Sequence, residues 1–270
     1  MGCNMDAQEN RAPVFVRDTE VLGTWWWWVD PKDYDDYLDF AAGNGVNEIY
    51  YHTLNFNNRV GSFIEQAGNR GIRVYLLLEG YEYIWDHSSF AGIMERFISY
   101  QNEAPEKRKF SGLHLDIEPQ NHPDFPGNRR PFLQDYLDFV VWVCSGYRPQ
   151  AGTIDFDIAW WFDTNVDYRG ERTRLYRALI TEADRVFIMS YKDTAEQTLE
   201  VSREEIEFAR SLGKQIILGA ETGPIDDEPE ISFYGKGRLY FYEQLHKLHR
   251  LVDYDNYGIS IHYISAWYSM

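Results

Sequence analysis

Only two of the 270 residues are cysteine, Cys3 and Cys144, so no disulfide framework staples this chain and no thiolate zinc motif can be drawn from it. Cys144 falls in the apolar helical stretch Phe139-Val-Val-Trp-Val-Cys144, where a buried, inert thiol is expected. No apolar run approaches the roughly 20 residues that span a bilayer, which excludes a transmembrane helix. Basic residues are scarce: 26 Lys plus Arg stand against 43 Asp plus Glu, a formal charge of -17. A surface of that sign repels phosphate backbones, so nucleic acid is excluded as a partner. No glycine-rich phosphate loop follows the first strand, and no HxH, HExxH or EF-hand pattern occurs, so neither a cofactor nor a metal is expected.

What the chain has in excess is aromatic surface, 17% of residues including nine Trp and twenty Tyr. Flat rings with polar edges pack cores and also make platforms for sugar rings, so a carbohydrate is the expected ligand class. Of the run Trp25-Trp-Trp-Trp28, alternate rings must point to opposite faces of a strand, so half can line an interior. Residues 1–12 read as a flexible polar tail. Its Gly2-Cys3 start resembles that of a mature bacterial lipoprotein, which implies an exported, anchored chain if a signal was removed before Cys3, and a cytoplasmic one otherwise.

From residue 13 to residue 270 the pattern is that of a single domain. Eight short runs rich in Val, Ile, Tyr and Trp lie near Val21–Trp28, Asn47–Thr53, Arg73–Glu79, Gly112–Glu118, Thr153–Trp161, Arg185–Tyr191, Gln215–Glu221 and Gly258–Ile264. They alternate with segments of helical period, as in βα units. Val60, Phe63, Ile64 and Ala67, and again Leu133, Tyr136, Leu137 and Val140, recur at i, i+3, i+4 and i+7, so both stretches predict amphipathic helices. Gly71, Gly152 and Gly213 stand where left-handed helix caps are wanted. On the fifth run, Asp155, Asp157 and Ala159 share a face opposite Ile154, Phe156 and Ile158. Polar groups on an inner face favour a closed (β/α)8 TIM barrel over an open sheet. Little chain follows the eighth strand, so the last helix is expected to be missing, or replaced by the segment before Val21 or another subunit.

Barrel enzymes carry their chemistry at the C-terminal strand ends. Alternation sets His114, Asp116 and Glu118 on one face of the fourth strand, Glu118 outermost. The same counting brings Glu79, Asp157, Tyr191, Asp193, Glu221 and His262 to one mouth. Crowded carboxyls raise one another's affinity for protons, so one can stay protonated as a general acid while another is ionised, as glycoside hydrolysis requires. Trp161 and Trp267 are the candidate sugar platforms. The acidic stretch Asp226-Asp-Glu-Pro-Glu230 reads as a solvated rim loop. A non-catalytic carbohydrate-binding barrel and a metal-dependent hydrolase or deacetylase are the alternative readings.

The segment Ser111-Gly-Leu-His-Leu-Asp-Ile-Glu118 resembles the DGxDxDxE strand of glycoside hydrolase family 18. Asp116 and Glu118 hold its last two acidic positions, while Ser111 and His114 replace the first two Asp. Met189-Ser-Tyr191 looks like that family's Met-x-Tyr, and Trp267 follows the eighth strand as its stacking Trp does. The chain is also similar, over most of its length, to a group of bacterial barrel glycosidases with strands like HLDIEP, DIPFWFD, VIMSYRD, IGVET and IAIHYYESW. The counterparts here are His114–Pro119, Asp157–Asp163, Phe187–Asp193, Leu218–Thr222 and Ile259–Trp267. Glu118 and Glu221 stand in outline where clan A glycosidases hold acid/base and nucleophile, with Ile117 in place of that clan's Asn. These resemblances imply a glycosidase with Glu118 as acid/base and a second carboxylate from Asp116, aided by Tyr191, or from Glu221.

Overall fold

The computed structural model describes Phe15, residues 17–225 and residues 227–270. Cys3, the polar tail and Asp226 of the rim loop lie outside the described residues. Eight parallel strands close a barrel: β1 (Val21–Trp26), β2 (Glu48–His52), β3 (Arg73–Glu79), β4 (Gly112–Asp116), β5 (Thr153–Ala159), β8 (Arg185–Met189), β9 (Ile216–Glu221) and β10 (Tyr257–His262), with β10 hydrogen-bonded to β1. The expected barrel is therefore the observed one. Two short antiparallel strands, β6 (Asn165–Tyr168) and β7 (Glu171–Arg174), form a hairpin outside it.

The outer layer consists of α1 (Tyr34–Gly43), α2 (Asn58–Gly68), α3 (His87–Glu103), α4 (Phe125–Ala151), α5 (Leu175–Glu182), α6 (Ala195–Leu212), α7 (Arg238–Leu251) and α8 (Ile264–Ser269). The two predicted apolar stripes lie buried on α2 and α4. Cys144 is buried on α4, and its thiol is pushed up to about 12 by burial. Gly71, Gly152 and Gly213 all have positive φ, 76°, 75° and 65°. The eighth helix is present, but with six residues it is short. It fills the last outer gap by packing on α1, where Tyr268 stacks on Tyr37 at 4.4 Å and Trp267 meets Phe40 edge-on at 5.0 Å.

Alternation divides the core in two. Odd-numbered members of the β1 run, Val21, Trp25 and Trp27, pack inside the barrel with Tyr50, Tyr75, Leu77, Phe187 and Ile217, whereas Leu22 and Trp26 join the layer between strands and helices. The floor of the barrel is ionic. Arg185 donates to both Asp155 oxygens at 3.0 and 2.6 Å and to both Glu48 oxygens at 2.9 and 3.0 Å, while Arg73, Tyr50 and Tyr75 also donate to Glu48. Burial pushes both carboxyls up; Arg185 and Arg73 together bring Glu48 below its ordinary range, while Asp155, with one arginine, stays above its own. Asp155 therefore belongs to the floor, across from Arg185 in the strand register, and not to the mouth that its shared face with Asp157 suggested.

Candidate active site

The mouth is built from the ends of β3, β4, β5, β8, β9 and β10. Asp116 closes β4, and Glu118 lies two residues beyond it; both are half-buried. Asp157, one strand over, is fully buried. Its Oδ2 lies 2.8 Å from His114 Nε2 and accepts from Trp25 Nε1 at 3.3 Å. Burial lowers His114 to about 3, so this imidazole is neutral. Because the Trp25 indole can only donate, Asp157 Oδ2 is an acceptor, and Nε2–H of His114 is the natural second donor to it.

That assignment leaves two oxygens to account for. Asp157 Oδ1 and Asp116 Oδ1 are both buried without a hydrogen-bond partner among the described residues. Burial pushes both carboxyls well above the ordinary carboxylate range. The next cause is Asp157 acting on Asp116, and Glu118 acting on Asp157. A proton on either carboxyl would give its unpartnered oxygen a hydrogen to share, and two neighbouring ionised carboxylates would repel. Glu118 is also raised, first by burial; His262 and hydrogen bonds from Gln120 and Asn121 pull it back. Three carboxyls thus run from the barrel interior outward, and the outermost keeps an opening to solvent.

Across the mouth Glu221 ends β9, buried and engaged at both oxygens: Oε2 lies 2.6 Å from His262 Nδ1, and Oε1 accepts from the Gly223 amide at 2.5 Å. Tyr191 stacks on the His262 ring at 5.9 Å. Burial, then Glu221, keeps its phenol protonated well above the ordinary range. The ring fits because residue 219 is glycine: a Cβ there would stand 2.8 Å from the Tyr191 ring and 2.9 Å from the Ile188 carbonyl. Glu79 is half-exposed beside His52, 3.6 Å from its Nε2, and its charge acts on both Asp116 and Glu118. Trp27 meets His52 and stacks on Trp28, which is 78% exposed and lies edge-on to Tyr263.

Asp116, Asp157, Glu118, Glu79, Glu221, His262 and Tyr191 are therefore brought together. Three other predicted residues are not. Trp267 is completely buried, its indole donating to the Tyr242 hydroxyl at 3.1 Å on the outer side of the barrel, so it offers no face to a sugar. The reason is that the chain turns into α8 right after β10 and aims this ring at α1 and α7. Asp193 is ion-paired with Lys236, and its amide bonds to the Glu230 carbonyl, which ties the two rim loops together. Trp161 is half-buried with the Arg129 guanidinium 4.6 Å from its ring, and it lines a separate cavity outside the mouth. Strand alternation places His114 and Trp25 on the inner face, and their shared contact with Asp157 is what the pattern does not show. Period two was the signal for both.

Among the described residues, no three His, Cys, Asp or Glu side chains are grouped to hold a metal ion, and no helix is long and apolar enough to cross a membrane. No family model and no curated protein matches this sequence. Solved structures do resemble it. A family 18 chitinase from Pseudoalteromonas aurantia aligns at 12% identity with a TM-score of 0.62, covering 91% of this chain and 94% of that one. A family 18 chitinase from the chitin utilization locus of Flavobacterium johnsoniae aligns at 12% identity with a TM-score of 0.53, covering 92% and 89%. This chain thus has the closed (β/α)8 barrel fold seen in family 18 glycosidases.

Proposed function

We propose that the protein is a glycoside hydrolase in which Glu118 protonates the leaving oxygen, backed by the one-proton pair Asp116 and Asp157. The observation that carries this reading is the run of three carboxyls at the ends of β4 and β5, all raised first by burial, with Asp157 and Glu118 adding to Asp116, Glu118 adding to Asp157, and Glu118 outermost. A carboxyl whose affinity for protons is raised and which is reachable from solvent suits the proton donor that departure of a sugar alkoxide demands.

Asp116 suits the second role better than Glu221. Both Glu221 oxygens are already hydrogen-bonded and the side chain is buried, which weakens it as a nucleophile. The scheme that uses the groups at hand is therefore assisted by the substrate's own 2-acetamido group, and the chitinase neighbours favour the same substrate class. The acetamido carbonyl oxygen attacks the anomeric carbon as the glycosidic bond breaks and the Glu118 proton passes to the leaving oxygen. The amide N–H, now more acidic, donates to Asp116 Oδ1 while the pair's proton rests on Asp157 Oδ1. Tyr191, kept as a phenol, donates to the acetamido oxygen. Glu118, now a carboxylate, takes a proton from the water that opens the cyclic intermediate. In this chain Asp157 on β5, held by His114 and Trp25, supplies the carboxyl that His114 displaces from β4.

Aryl glycosides bearing a 2-acetamido group should therefore be cleaved with kcat/KM about 10²-fold or more above their 2-hydroxy counterparts, since only the former bring an internal nucleophile. Steady-state release of the aryl group measures it. Equal rates would remove the assisted scheme and return Glu221 to the nucleophile's role.

A further inference from the structure

A cavity of about 370 Å³ opens outside the mouth, between the turn that follows β5 and the face of α6 carrying Glu200, Glu204 and Glu205. It shares no lining residue with the carboxyl cluster. Its volume is that of a small-ligand pocket, and its charges do not balance. Asp163 is offset by Arg174, whose Nη1 lies 3.9 Å from its Oδ2. Glu204 accepts from the Tyr176 hydroxyl at 3.1 Å, and that hydroxyl accepts from Arg177 Nε at 3.1 Å. Glu200, exposed at the rim, and Glu205, at the wall, have no side-chain hydrogen-bond or ion-pair partner among the described residues.

Glu205 is the telling group, because it is only 4% exposed. In a residue this buried, a carboxyl that reaches only the cavity and has no side-chain donor is costly to ionise unless something there supplies a positive charge. Burial pushes it up to about 7; its own backbone amide opposes the rise, while Glu204 and Asp163 add to it. An aromatic side chain lines the same cavity. Trp160 is 39% exposed and already attracts the Lys192 ammonium, 5.6 Å from its ring. Carboxylates and an indole lining one cavity suit a cation of the organic kind, for which ring quadrupole and counter-charge act together.

We propose that this cavity binds a compact organic ammonium group, carried by an amino sugar or by a small quaternary amine. Glu205 and Glu200 supply the counter-charge and Trp160 the aromatic wall. Binding releases the Glu205 proton. The site does not depend on the glycosidase reading, and its test does not read hydrolysis.

Choline, whose charge does not change with pH, is the first probe. Titrated calorimetrically into the whole chain, it should bind saturably and about tenfold more tightly at pH 8 than at pH 6, following the ionised fraction of a group that titrates near 7. Glu205→Gln should weaken binding at pH 8 about tenfold or more and flatten the pH dependence. Glu200→Gln, a change at an exposed position, should weaken it less without disturbing the fold, and keeps the test decisive if the buried variant melts early. A glucosamine tetramer and its fully N-acetylated form, compared at pH 7, separate the sources: selective binding of the free amine, lost in Glu205→Gln, assigns an amino sugar, and binding of choline alone assigns a quaternary amine. If neither amine binds the wild type, or if both glutamine variants bind as the wild type does, the proposal is overturned.

Discussion

Glu118→Gln should lower kcat by about 10²–10⁴-fold, the usual contribution of a positioned general acid, while leaving the thermal unfolding curve almost unchanged. The substitution keeps the size of the side chain and its place beside Gln120, and removes only the transferable proton. The loss should grow with the pKa of the leaving group, because a poor leaving group needs the proton most. The pH profile offers a second sign. An acid works while protonated, so its raised affinity for protons carries activity to higher pH than an ordinary glutamic acid would allow, and the rate falls as Glu118 ionises. In Glu118→Gln that alkaline limb should vanish. Kinetics on aryl glycosides of graded leaving-group acidity read both effects, and an unchanged kcat across the series would remove Glu118 from the chemistry.

Arg185→Ala is the change with the largest expected effect on stability. Arg185 is the shared partner of two fully buried carboxylates, so its removal leaves Asp155 without an ion-pair partner and Glu48 with Arg73 alone. Breaking a buried pair from one side costs about 3–5 kcal/mol. The sign of the pH dependence follows. In the variant both carboxyls lose their main cation, so their folded-state proton affinity rises above the unfolded value. The deficit should therefore shrink as pH falls through the range where they protonate, and be greatest at neutral pH and above. Denaturant unfolding of wild type and variant at pH 5 and pH 8 measures it. A deficit below about 1 kcal/mol at pH 8 would mean that the floor is solvated.

The parts of this structure that were legible in the sequence are those set by local periodicity. β3 has the predicted bounds, Arg73–Glu79, and the other barrel strands end within two residues of theirs because alternation and turn chemistry are local. β1 stops at Trp26, halfway along the four-Trp run, and Trp28 adopts φ 49°, which no strand pattern signals. The β6–β7 hairpin lies where hydrophobic alternation predicts no strand, although Arg169-Gly170, both at positive φ, is the kind of two-residue turn that joins such strands. Depth was the harder property. Asp155 and Asp157 share a face, and only the register, with Asp155 opposite Arg185, assigns one to the floor and the other to the mouth. Direction after a strand end was illegible too: Trp267 and Trp161 follow β10 and β5 as stacking residues would, yet local turns carry them away from the mouth.

Glu118 gained a more specific setting than its strand pattern gave it. Its neighbours on one side are a carboxyl pair split between two strands, with a neutral histidine where an acid stands in the family 18 motif, and on the other His262 and Glu221, whose two oxygens are both hydrogen-bonded. The most direct measurement is a glycan-library screen of wild type beside Glu118→Gln, reading new reducing ends. The account predicts that the wild type releases them from oligomers of 2-acetamido sugars and that the variant, folded and still binding the same oligomers, releases almost none. A wild type that binds such oligomers without cleaving any glycan, or a variant that cleaves as fast as the wild type, would contradict it.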